Sequence, residues 1–343
     1  MNLMQPATGS AQIAIDELFP DLPRAFDFDD VSLVPRRRSS LVHRTEAAPS
    51  VDFGPLHLSV PLIGSPMPDV CGVDMCRALA EHGALGILPR FSAIEHQVSE
   101  LREVGTAGGV VAAALGVTGD FRERFGQIVA AGCRIVCLDT ANGAHEQVAK
   151  AVRWVREQDT AVFLMAGNVA SAETFRWLED LGVDAIRVGI AGGSVCETRT
   201  ETGVYAPTPY SVYECAQVRR RALIIGDGGI RSPADMCKLL ALGADCVMVG
   251  SALAGTYEAP GRVLVVDGKK FKIMRGAASF SVQQEFAGED PEYIEGAESI
   301  VAYKGRVADV IQRYVAGLRS SMSYMDARTL DEFRNNATFI RMR

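Results

Sequence analysis

A closed (β/α)8 barrel of the TIM type is the fold class this sequence predicts, and three observations lead to it. Eight short apolar, β-rich runs each end in Gly, Asp or Asn and are followed by a stretch with helical apolar spacing. The runs are apolar on both faces, as strands of a covered parallel sheet are. The glycine-rich ends come late, after the sixth, seventh and eighth runs, whereas a doubly wound open sheet, the alternative, more often has fewer strands and a glycine fingerprint after the first.

The chain of 343 residues can be followed in order. Residues 1–24 read as an N-terminal tail, and 25–343 as one barrel domain. The expected strands fall in 56–67, 84–90, 110–116, 135–141, 161–169, 185–192, 222–229 and 246–255. Among the intervening helices, "SAETFRWLEDLG" and "SPADMCKLLALG" each open on a capping Ser and close on Gly. After the eighth strand the repeat stops. "VVDGKKFKIMRG" reads as a hairpin turning at Asp-Gly. The polar, acidic residues 277–302 read as an active-site flap, since loops of this length in a compact domain are commonly lids. The segment from Arg306 to Asn336 returns to helical spacing and closes the barrel.

Composition excludes several classes of function. The content is 48% hydrophobic and 22% charged, and the net charge of −7 lacks the basic surplus that a nucleic acid partner requires. No uncharged apolar run approaches the roughly 20 residues that span a bilayer, and the N-terminus lacks a basic flank with a long apolar stretch, so a cytoplasmic location and no membrane partner are expected. Eight cysteines form no close CxxC pair, which reads as reduced thiols, most of them core fillers.

Two places carry chemistry. "GDGG" (226–229) and "GS" (250–251) follow the seventh and eighth strands, where such barrels frequently hold a phosphate. Gly228, Gly229 and Gly250 leave backbone N–H groups unblocked, and Ser251 adds a hydroxyl, although tight βα corners alone would also account for the glycines. The second place is Cys196 in "GGSVCETRTETG", on a solvent-facing loop rich in free N–H groups at the barrel mouth. Thr198, two residues on, can aim its hydroxyl at the same reacting centre.

The motifs "FDDVSLVP" (28–35), "GNV" (167–169), "VGIAGGSVCETRTETGV" (188–204), "GDGGIRSPADMCKLLALGADCVMVGSALAGTYEAPG" (226–261), "EG" (295–296) and "YKGRVADVIQRYVAGLRSSMSY" (303–324) resemble the inosine monophosphate dehydrogenase and guanosine monophosphate reductase family over nearly the whole chain. The resemblance implies that Cys196 attacks C2 of a purine base, forming a thioimidate to or from which a nicotinamide cofactor carries hydride. It assigns Ser194, Asp227, Gly229, Gly250 and Ser251 to the ribose phosphate, with Asp227 on the ribose hydroxyls. Glu295 would meet the base edge; Asp139, Asn168 and Gly189 would line the nicotinamide side. Carbonyls of Ala191, Gly193 and Cys196 would hold K+, and the protein would be a homotetramer.

Within the family, the reductase branch is favoured. Residues 280–294 contain Tyr293 but no arginine, so the dehydrogenase's Arg-Tyr pair is missing, whereas Thr198 and Glu295, the pair implied for proton handling during ammonia loss, are both present. "DTANG" (139–143) and "ATFIRM" are similar to reductase sequences, and no pair of regulatory modules is inserted between strands. The implied reaction is NADPH-dependent reductive deamination of GMP. The alternatives are NAD-dependent oxidation of IMP and a nucleotide-binding homologue without activity. Three positions depart from the family pattern. Met67-Pro68-Asp69-Val70 stands where the family has Met-Asp-Thr-Val, Pro207-Thr208 where it has Pro-Gln, and Arg275-Gly276-Ala277 where it has the phosphate-binding Tyr-Gly-Met. Arg275, with Gly276, would then grip the phosphate bidentately, and a reshaped base pocket points to an altered purine nucleotide such as a deazapurine, beside ordinary drift.

Overall fold

The computed structural model describes residues 24–106, 111–158, 161–287, 294 and 296–342. Eight parallel strands form one sheet: β1 Leu62–Gly64, β2 Leu85–Gly86, β3 Ala112–Leu115, β4 Ile135–Asp139, β5 Phe163–Val169, β6 Ala185–Val188, β7 Leu223–Asp227 and β8 Cys246–Val249. They hydrogen-bond in the order β2-β1-β8-β7-β6-β5-β4-β3. The remaining gap, between β2 and β3, is closed just past β2, where Leu88 pairs in parallel with Ala113 through bonds of 3.0 and 2.8 Å. The predicted TIM barrel is therefore what the chain forms.

Helices α1 Val73–Glu81, α2 Ile94–Thr106, α3 Phe121–Ala130, α4 Glu146–Gln158, α5 Ala172–Asp180, α6 Thr208–Val218, α7 Pro233–Leu242 and α8 Val307–Tyr324 follow the strands in turn. The expected caps are in place: Ser171 and Ser232 accept from the N–H groups of Thr174 and Asp235, and Gly182 and Gly243 adopt positive φ after the last turns. Two cores result. One lies between strands and helices. The other fills the barrel with alternate strand residues such as Ile63, Leu85, Ala114, Met165, Ile225 and Met248, each fully buried.

The expected run 56–67 divides. Leu56–Leu58 pairs antiparallel with Val51–Phe53, and only Leu62–Gly64 joins the barrel. Pro61, which has no N–H for a ladder, sits at the break. The hairpin plugs the N-terminal end of the barrel: Phe53 is fully buried and meets Phe163 edge-on at 4.9 Å. Gly54 turns this hairpin with φ +60, and a Cβ there would lie 2.2 Å from the Phe163 ring.

The Asp-Gly hairpin also forms, as β9 Leu264–Val266 and β10 Lys269–Arg275, with positive φ at Asp267 and Gly268. Within residues 277–302, a helix (Phe280–Ala287) and a third strand, β11 Glu298–Ala302, were not evident from the sequence; β11 pairs along the free edge of β10. After α8, α9 Leu330–Asn336 leads to Phe339–Arg341, which pairs with Val31–Leu33 and ties the two ends of the described chain together. Among the described residues no helix is long and apolar enough to cross a membrane.

Replacing Phe53 with Ala removes a fully buried ring from the plug and is expected to lower stability by about 3–5 kcal/mol. Urea unfolding measures it, and a loss below about 1 kcal/mol would contradict the plug's role in closing the barrel.

Candidate active site

A cavity of about 650 Å³ opens at the C-terminal ends of the strands, a size suited to a small ligand. Its walls come from the segments after β1, β4, β5, β6, β7 and β8, with Met274 and Gly276 from the inserted sheet and Asp27–Asp30 from the N-terminal segment. The Cys196 loop begins where β6 ends. Gly189, at φ +142, lies so close to Asp227 that a Cβ would be 1.9 Å from its carbonyl oxygen, so the two strand ends touch only because this residue is glycine.

Cys196 is half-buried at the cavity wall, and its thiol donates to Thr198 Oγ1 at 3.3 Å. Its N–H bonds the Gly193 carbonyl at 3.1 Å, and Cys196 pairs antiparallel with Gly296. The other seven cysteines are buried. Burial pushes the thiols of Cys133, Cys137, Cys215 and Cys237 up to about 12, which keeps them un-ionised and inert.

Next to this loop, β7 delivers Asp227, Gly228 and Gly229, and β8 beyond it delivers Gly250 and Ser251, all on the cavity wall. Gly228 and Gly229 both have positive φ. Phe28 packs against Gly229, where a Cβ would lie 2.9 Å from its ring, and Asp27 accepts from the Tyr205 hydroxyl at 2.8 Å. Two guanidiniums of the wall lie near these turns: Arg187, which is engaged by Asp227 and Asp139, and Arg231, 3.6 Å from Asp29. The Lys304 ammonium donates to the Ser251 carbonyl, and the glycine turns add backbone N–H groups that an anion can meet.

The centre of the mouth holds a residue that sequence reasoning missed. Arg187 projects from β6 into the barrel, buried, and donates to Asp139 at 2.5 Å and to Asp227 at 3.0 Å. Asn168 Nδ2 reaches Asp227 at 2.9 Å and the Gly189 carbonyl at 2.8 Å, and Arg90 lies 3.5 Å from Asp139. Burial alone would raise the Asp139 carboxyl, but Arg187 and Arg90 outweigh it and hold the group below the usual carboxylate range. Burial likewise opposes the charge on Arg187, and Asp227 and Asp139 overcome it. The available signal was an arginine in the otherwise apolar strand "AIRV".

Ser194, Ala191 and Gly193 also line the cavity, as do Asp139, Asn168 and Gly189 on the side expected for nicotinamide. Gly276 lines it but Arg275 does not: its guanidinium is engaged by Asp69 and Glu285, so the structure does not bring it to the expected phosphate position. Glu295 lies outside the described residues. Two buried polar atoms of cavity-lining residues, Asn168 Oδ1 and Thr208 Oγ1, have no hydrogen-bond partner among the described residues. Buried polar atoms are usually paired, so both fit a ligand that brings donors, as a carboxamide or a base edge does.

The IMP dehydrogenase / GMP reductase domain model matches residues 25–343. Inosine-5'-monophosphate dehydrogenase of Bacillus subtilis is 40% identical over 242 residues, which is 68% of this chain and 50% of that protein. The Nitrosopumilus maritimus enzyme of the same name is 41% identical over 246 residues, 68% of this chain and 52% of that protein. This chain thus spans about half the length of these relatives. The crystal structure of a cysteine-to-alanine variant of Trypanosoma brucei GMP reductase in complex with guanosine 5'-monophosphate superimposes with a TM-score of 0.88 at 27% identity, over 94% of this chain and 96% of that one.

Arg187→Leu removes the guanidinium bonded to two largely buried carboxylates, with Arg90 remaining 3.5 Å from Asp139, and is expected to cost about 3–5 kcal/mol at pH 7, read by urea unfolding. Because the Asp139 carboxyl is lowered in the folded state, its ion pair stabilises fully above the unfolded carboxylate pKa of about 3.9 and loses that contribution as pH falls toward the lower folded value. The stability deficit of Asp139→Asn should therefore shrink below about pH 4; an equal deficit at pH 3 and pH 7 would contradict the ion pair.

Proposed function

The chain belongs to the IMP dehydrogenase / GMP reductase family, and we propose that it reduces a purine nucleoside monophosphate at C2 of the base, converting GMP or a close analogue, with NADPH, to the IMP-type product and ammonia. The observation that carries this reading is Cys196, the one half-exposed cysteine, on the wall of a cavity that the glycine turns at the ends of β7 and β8 also line. Nearly full mutual coverage with a GMP reductase structure supports the reductive direction. Higher identity to IMP dehydrogenases supports the second reading, oxidation of IMP with NAD.

In this reading the turns at Gly228, Gly229, Gly250 and Ser251, with Ser194, bind the phosphate, and the Asp227 carboxylate takes the ribose hydroxyls. The Cys196 thiolate adds to C2 and the exocyclic amine leaves as ammonia, protonated through Thr198 and Glu295. Asp139, Asn168 and Gly189 would hold NADPH, which would supply the hydride for C2. The balance is GMP, NADPH and two protons giving IMP, NADP+ and ammonium. The orphaned Asn168 Oδ1 suits a carboxamide donor on that side. K+ on the carbonyls of Ala191, Gly193 and Cys196 would stiffen the loop, since Gly193 already takes the Cys196 N–H. With Ala277 and Ala278 lining the wall and Thr208 in place of the family's glutamine, the base pocket fits a modified purine such as a deazapurine. The proposal takes the protein as a cytoplasmic homotetramer; Val266, Ile273 and Ile300, exposed on one face of the inserted sheet, offer apolar area to a neighbouring copy.

Cys196→Ala should lower turnover by about 10³-fold or more while nucleotide affinity stays within a few-fold. NADPH absorbance, ammonia release and mass spectrometry over a panel of purine and deazapurine monophosphates with both cofactors read it. NADH formation without ammonia assigns the dehydrogenase direction, retained turnover removes the covalent mechanism, and binding without turnover in the native protein marks an inactive homologue.

A further inference from the structure

We propose that Asp69 and Glu285 are positioning residues that hold the Arg275 guanidinium from two sides and so lock the inserted sheet against the Cys196 loop. Two of the three departures from the family pattern meet here. Arg275 Nε and Nη2 fork onto the Asp69 carboxylate at 2.8 Å each, its backbone N–H donates to the same group at 2.9 Å, and Nη1 reaches Glu285 at 2.8 Å. Asp69 is buried in the loop after β1, which is fixed by bonds from Val70 and Cys71 to the Met67 carbonyl.

From this clamp a short path leads to the nucleophile. Met274 and Met67, adjoining Arg275 and the Asp69 loop, both face Gly250, where a Cβ would lie 3.5 and 3.3 Å from them. Gly276, the next residue, donates to Ala297 at 2.9 Å; Ala297 donates to the Val195 carbonyl at 2.9 Å; and Gly296 pairs with Cys196. A fork onto a buried carboxylate is the geometry in which arginine binds most firmly, and moving it to a phosphate would strand Asp69 without a counter-charge. The arginine that stands in place of the family's phosphate-binding tyrosine thus braces the wall instead of gripping the ligand, leaving the anion to the backbone turns.

The test uses the full chain and a readout that needs no turnover, iodoacetamide alkylation of Cys196 followed by mass spectrometry, together with hydrogen exchange at Gly276 and Ala297. Asp69→Asn and Arg275→Met should each speed alkylation and exchange by about tenfold, and the double variant should add nothing further. Calorimetric GMP affinity should hold within about threefold while kcat falls about tenfold, a split that rests on the reductase reading. Glu285→Gln, on the exposed side, should shift alkylation in the same direction by less, and it serves if either core variant fails to fold. Unchanged alkylation and exchange overturn the clamp. So does a loss of GMP affinity beyond about tenfold in Arg275→Met, which would return that residue to the phosphate. A native protein inactive on GMP whose alkylation still responds supports the clamp and rejects only the activity.

Discussion

The guanidinium of Arg187 is the interaction on which the rest of the mouth depends. A barrel interior is filled by apolar side chains, yet its rim carries carboxylates on two strands, β4 and β7, separated by β5 and β6. Asp139 on β4 and Asp227 on β7 would repel each other and resist burial; Arg187, from β6 between them, neutralises both. Asn168 from β5 completes the set by bonding Asp227 and the Gly189 carbonyl. Four consecutive strands are thereby registered at their polar ends, just above the layer in which Cys137 and Met165 pack as hydrocarbon-like residues.

That rigid floor allows the loops above it to be thin. The Cys196 loop approaches the turn after β7 and the start of α6 over glycines: a Cβ on Gly228 would lie 3.2 Å from the Gly192 carbonyl carbon, and one on Gly192 would lie 2.7 Å from Thr208 Oγ1. Burial sets the cysteines apart: it pushes the thiols of Cys133, Cys137, Cys215 and Cys237 up to about 12, while the thiol at position 196 meets the cavity beside a hydroxyl. The inserted sheet supplies the remaining wall and, through Arg275, is braced to the loop after β1.

Much of this was legible in the residues themselves. Period and punctuation give the eight-fold alternation, because a parallel strand covered on both faces must be apolar throughout and its helix must carry a stripe. Capping serines at 171 and 232 and the Asp-Gly turn at 267–268 act over three or four residues, so local sequence suffices for them. Cys196, Thr198 and the glycines at 228, 229 and 250 stand out because loop chemistry at the end of a barrel strand is local as well.

Other features were decided only in three dimensions. The plug formed by Phe53 and Leu58, the pairing of Val31–Leu33 with the far end of the chain and the addition of β11 to the hairpin join segments whose own patterns name no partner. Arg187 was not singled out in the sequence, because its partners Asp139 and Asp227 are 48 and 40 residues away and only the fold sets them on either side of it. Arg275 looked free to bind phosphate until Asp69, 206 residues earlier, was found against it. The sequence by itself determined the repeat and the turns, since each depends on near neighbours. The tertiary structure alone decided which charges compensate one another, because electrostatic pairing depends on distance in space and burial, and neither is encoded in any short window of the chain.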